Sequence, residues 1–108
     1  MTAGPGPWRP IKDAVDLKHL GKLAEELGEC QAAVARCIIQ GLDEREPVTG
    51  KLNREWLEEE IADVAANLQL VHERFGLDHD RMAARAHRKL DLLRAWHAMA
   101  GAPAEDAA

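Results

Sequence analysis

Between Asp13 and Gln40 the apolar positions Leu20, Leu23, Leu27, Cys30, Val34 and Cys37 step by three or four residues, the spacing that lines one face of an α-helix. Gly41 ends that run. A second run passes through Trp56, Leu57, Ile61, Val64, Leu68, Val71 and Phe75, with Asn53 as its expected N-cap and Gly76 as its stop. A third begins after Asp78, another N-cap residue, and carries Ala83, Ala86, Leu90, Leu93 and Trp96 toward about Met99. The stretch GLDEREPVTGK, residues 41–51, has turn formers and charge without period, and reads as an exposed loop. No segment alternates in the manner of a strand. The pattern predicts an all-α protein, an antiparallel bundle of about three main helices in one domain over residues 13–100. Residues 1–12, which hold three of the five prolines, read as a non-helical arm packing through Trp8, and residues 101–108 as a disordered tail.

The periodicity is broken by acid. At 100° per residue Glu60 falls within the apolar arc of the second helix, flanked by Leu57, Ile61 and Val64. Asp63 lies one turn beyond it, Asn67 one turn further, and Trp56 one turn before, so the four form a ladder along one edge of the buried face. The first helix offers a match in Glu26 and Glu29, with Lys22 one turn earlier. When the two apolar stripes pack, these four carboxylates converge, and like charges in a partly dry site require protonation or a cation. An all-oxygen donor set favours Mg²⁺, with Mn²⁺ as its substitute, over zinc. His19 and Lys22 stand where the first helix can meet phosphate. Asn67 is placed to bind a base or sugar, and Trp56 either stacks on a base or fills core. Gly21 and Gly28 mark either a close approach or a simple tolerance of glycine.

At 108 residues the chain is small for a self-sufficient core, so pairing with further copies to complete a four-helix core is expected, as a dimer or a dimer of dimers. A net charge of −5 argues against nucleic acid, and the basic group Arg81, Arg85, Arg88, Lys89 and Arg94 is diluted by Asp78, Asp80 and Asp91. Cys30 and Cys37 lie two helical turns apart, roughly 10 Å of rise, too far to bridge each other, and read as buried thiols. With no signal-like or membrane-length apolar run, a cytoplasmic protein without membrane attachment is expected.

KLAEELGE (residues 22–29) followed by EEEIADV (residues 58–64) resembles the paired acidic signature of the MazG-like all-α nucleoside triphosphate pyrophosphohydrolases. The resemblance covers roughly His19 to Arg94. It implies Mg²⁺ held by Glu26, Glu29, Glu60 and Asp63, with Glu25 or Glu29 handling the attacking water. It also implies cleavage between the α- and β-phosphates to nucleoside monophosphate and pyrophosphate. Lys89 is similar to the family's phosphate-side lysine, although Leu92, Leu93 and Arg94 depart from the residues that usually follow it. A di-iron bundle needs Glu-x-x-His pairs, whereas Glu26 and Glu60 are followed by Glu29 and Asp63. A non-catalytic nucleotide-binding or helical dimerisation module is the competing expectation.

Overall fold

The computed structural model describes the backbone of residues 6–107 and the side chains of residues 6–100; the first five residues of the arm and the last residue of the tail lie outside the described residues. Three helices follow in order, α1 (Ala14–Gln40), α2 (Asn53–Phe75) and α3 (His79–Ala107), and no strand is formed among the described residues. The chain divides into two compact units at Gly76, one holding α1 and α2, the other α3.

Helix α1 starts where the sequence places it. The Asp13 carboxylate accepts from the backbone N–H groups of Val15 and Asp16, both at 2.9 Å, satisfying two donors that a helix start leaves open. It stops at Gly41, whose φ of 108° is closed to ordinary side chains; a Cβ there would also lie 2.9 Å from Glu44 Cγ.

The two helices run antiparallel, and each end of the hairpin is fastened by a polar contact. At the open end Arg74 of α2 donates to Asp16 at 2.7 Å and to Asp13 at 3.3 Å. At the loop end Asn53 is fully buried, and its Nδ2 donates to Gln40 Oε1 and to the Gly41 carbonyl, each at 3.1 Å. This corrects the expected role of Asn53. Leu52, with extended backbone, is the N-cap and makes no side-chain capping bond, while Asn53 sits inside the helix and spends its amide on the C-terminus of α1. The physical reason is that the end of α1 has orphan carbonyls to satisfy, and an amide one helix away reaches them.

The connecting segment is more ordered than its composition suggests. Glu46 accepts from Val48 N, Thr49 N and Thr49 Oγ1 at 3.0, 2.7 and 2.7 Å, and the Thr49 hydroxyl above all holds its carboxyl below the ordinary range. Arg45 and Leu52 form an isolated antiparallel bridge across the turn. Arg54 grips Asp43 through two nitrogens, at 2.7 and 2.9 Å.

Packing within one chain is thin. Among the described residues Ala33 and Val71 are the buried hydrophobic side chains, whereas Leu27, Val34, Ile61 and Leu68 of the expected stripes are 44–53% exposed, and Ile38 and Ile39 are 78% and 81% exposed. Cys30 and Cys37 are free and half-buried rather than buried, because the face they share is only partly covered. Trp8 is 81% exposed, so the described part of the arm does not pack through it as expected. Nothing lies within 4 Å of a Cβ placed on Gly21 or Gly28, so these glycines reflect tolerance rather than close approach.

In the second unit, α3 opens with Asp78 accepting from Arg81 N at 2.9 Å, the cap its sequence announces. The helical backbone continues past Met99 to Ala107; side chains beyond residue 100 lie outside the described residues. No described helix is long and apolar enough to cross a membrane.

Candidate metal centre

The antiparallel hairpin sets the acidic ladder of α2 against that of α1. Carboxylate oxygens of Glu26, Glu60 and Asp63 lie within 4.8 Å of one another, and so do those of Glu25, Glu26 and Glu29. Glu26 belongs to both groups and is the most enclosed of the five, only 7% exposed. Glu60 is half-buried, while Asp63, Glu25 and Glu29 face solvent. Glu26 thus joins Glu60 and Asp63 of α2 on one side and Glu25 and Glu29 of α1 on the other, so the four carboxylates singled out in the sequence fall in two groups that share it.

Charge balance at this cage is incomplete. Lys22 is its near cation, with Nζ 2.9 Å from Glu25 Oε1 and 3.2 Å from Glu26 Oε1. Hydrogen bonding to Glu25 first, then to Glu26, holds the Lys22 ammonium well above the ordinary lysine range. The second oxygens remain unmatched, since Glu26 Oε2 and Glu60 Oε2 are both shielded from solvent and have no hydrogen-bond partner. A buried carboxylate oxygen without a donor is costly, and Glu26 and Glu60 belong to a carboxylate group that could hold a cation. Glu29 registers the crowding: the negative charge of Glu26, then burial, then the charges of Glu60 and Glu25 push its carboxyl above the ordinary value of 4.5.

Toward the open end of the hairpin, Lys18, His19, Lys22, Asn67 and Leu70 line a shallow groove of about 150 Å³. His19 Nδ1 donates to the Val15 carbonyl at 2.9 Å, which leaves Nε2 as the other polar atom of the ring. Asn67 Nδ2 donates back to the Asp63 carbonyl at 2.8 Å, keeping the amide beside the cage. Three of the expected substrate-side residues, His19, Lys22 and Asn67, are thus brought together.

Toward the loop end stands Trp56, half-buried, with the Arg36 guanidinium carbon 4.0 Å and the Lys51 ammonium 5.2 Å from its ring centre. It is neither a plain core residue nor a free ring. Arg36, Lys51 and Lys18 were not anticipated as site residues. Arg36 carried a legible signal, since it lies seven residues after Glu29 and so on the same helical face. Lys51 carried none, because its place depends on the folded turn. Lys89 is exposed on α3, in the second unit, within a basic groove that also involves Arg81, Arg85 and Arg88.

The donor set is all carboxylate, with no Cys or His in either group, which suits a hard divalent cation such as Mg²⁺ or Mn²⁺. Compared with known proteins, the chain matches no family model, no curated protein sequence and no solved structure.

Proposed function

We propose that this protein is a Mg²⁺-dependent nucleoside triphosphate pyrophosphohydrolase of the MazG-like kind, with Glu26, Glu29, Glu60 and Asp63 as its metal ligands. The observation that carries the reading is the shared position of Glu26 between two carboxylate groups, together with the unmatched buried oxygens of Glu26 and Glu60. When bound, a divalent cation neutralises the polyphosphate and stabilises charge developing at the reacting phosphorus.

The chain's own residues supply the rest. Glu29, its carboxyl raised by its acidic neighbours, or Glu25 beside it accepts a proton from the attacking water. The water oxygen forms its bond to the α-phosphorus, the bond to the oxygen bridging to the β-phosphorus breaks, and that oxygen leaves with pyrophosphate. Lys22, paired to Glu25 and Glu26 at rest, turns toward the phosphates once its partners are engaged elsewhere. His19 and Asn67 border the same groove and hold the substrate in register.

The same reading includes self-association. Apolar side chains on α1 and α2, Ile38 and Ile39 foremost, lie open in the single chain and are covered by further copies that complete a four-helix core, as a dimer or a dimer of dimers.

The test is pyrophosphate release with Mg²⁺ from a panel of ribo- and deoxyribonucleoside triphosphates. Wild type is expected to yield monophosphate and pyrophosphate, and Glu60→Gln to lose about 100-fold or more in kcat. Absence of turnover on the whole panel by a folded protein refutes the enzymatic reading.

A further inference from the structure

The cage is flanked by two cationic regions of different character. On the open-end side the groove of Lys18, His19 and Lys22 has three basic groups, two of them lysines, beside Asn67. On the loop-end side two cations accompany the one indole of the hairpin, Trp56.

Arg36 is the unusual member. Among the described residues no hydrogen bond is made by any of its guanidinium nitrogens, and its Nε is shielded from solvent without a partner. The guanidinium lies 4.0 Å over the indole, and the Glu46 carboxylate of the turn is an acidic charge acting on it without a hydrogen bond, so its donors remain unspent. Lys51, by contrast, is tied to Glu59, and the folded turn delivers it to the same ring. Trp56 is one helical turn from Glu60, about 6 Å along α2. That is the scale separating the α-phosphate of a nucleotide from its base.

Resting on the pyrophosphohydrolase reading, we propose that Arg36 and Trp56 form the base-recognition subsite. The nucleotide lies along the hairpin groove with its base toward the 41–51 loop and its polyphosphate tail toward Lys22, Lys18 and His19. The indole and the guanidinium plane lying over it together supply the stacking surface, and the unspent Arg36 donors meet acceptors on the base edge, such as a ring nitrogen or exocyclic carbonyl. The cationic groove without an indole takes the terminal phosphates. The polarity follows from the contents of the two regions: charge alone serves phosphate at either end, but an indole stands beside the cations at one.

The experiment compares nucleoside triphosphates with inorganic tripolyphosphate, which has the phosphates and no base. Kinetics on the four-base panel, and competition by tripolyphosphate, are measured for wild type, Arg36→Gln, Trp56→Leu and Lys18→Gln. Binding is followed independently by quenching of Trp56 fluorescence in a background where Trp8 and Trp96 are phenylalanine. Arg36→Gln and Trp56→Leu are expected to raise KM for nucleotides roughly ten-fold, the size of a lost stacking contact, and to flatten base preference, while leaving tripolyphosphate inhibition unchanged. Lys18→Gln is expected to weaken nucleotide and tripolyphosphate alike. Arg36→Gln stands for the subsite should Trp56→Leu fail to fold.

The proposal is overturned if Arg36→Gln weakens tripolyphosphate as much as nucleotide, if it leaves KM and base preference unchanged, or if no nucleotide quenches Trp56. Nucleotides that quench Trp56 in a base-dependent way without being hydrolysed would support the subsite and refute the pyrophosphohydrolase reading, so the two fail separately.

Discussion

Two acidic regions of the α1–α2 hairpin differ in how their charge is answered. At the open end Asp13 and Asp16 meet Arg74, and Asp13 also accepts from two backbone N–H groups. At the cage five carboxylates meet one lysine, and two shielded oxygens have no donor at all. The direction of the titration follows. Backbone hydrogen bonding, from Asp16 above all, together with Arg74, holds Asp13 below its ordinary value of 3.8, while the acidic neighbours push Glu29 above 4.5. The first arrangement fastens a fold. The second leaves charge unanswered among the described residues, which a bound cation would offset.

The largest expected contrast comes from Glu26→Gln. Because Glu26 is shared by both carboxylate groups, its replacement is expected to reduce turnover about 100-fold or more and to abolish the Mg²⁺-induced rise in Tm. The metal-free protein should melt no lower than wild type, since the change relieves repulsion. A metal-free Tm lowered as much as the activity would make the cage structural and erase the contrast.

Lys22→Met sharpens the comparison by removing the lysine that answers the cage. Its ammonium competes for Glu26, so Mn²⁺ binding without substrate, followed by electron paramagnetic resonance, is expected to tighten about two- to five-fold, the scale of a screened exposed pair. KM for nucleotide should rise in the same variant. Weaker Mn²⁺ binding would show that Lys22 organises the cage rather than occupying it.

Asp13→Asn gives the smallest effect. An asparagine retains the capping oxygen but loses the charge facing Arg74. The Asp13 carboxyl is lowered in the folded protein, so its contribution is present above 3.8 and lost as pH falls through the folded value beneath it. Wild type is therefore expected to melt a few degrees above the variant near neutral pH, and the two Tm curves to converge in strong acid. Parallel curves down to the lowest pH would assign Asp13 to capping alone.

The legible and the illegible parts of the site divide along a physical line. Glu60 stood out because a carboxylate inside an apolar arc violates the helical pattern, and Glu26, Glu29 and Asp63 followed from one-turn spacing. These are local, periodic signals. Asn53 was misread because a helix-start asparagine has a strong local explanation, and only packing revealed that its amide serves the end of the other helix. Lys51 was invisible for the same reason: a turn held by Glu46 and the Arg45–Leu52 bridge carries it to Trp56.

The sequence by itself determined the helices, the Asp78 cap, the stops at Gly41 and Gly76, and the identity of the acidic ladder, since capping, glycine geometry and the 3.6-residue period act within a few residues. Tertiary structure alone decided that Glu26 is the shared, buried member, that Lys22 spends its charge on Glu25 and Glu26, and that Arg36 lies unbonded over Trp56. Burial, pairing and unspent donors are properties of what stands across from a residue, and the facing helix enters only when the hairpin closes.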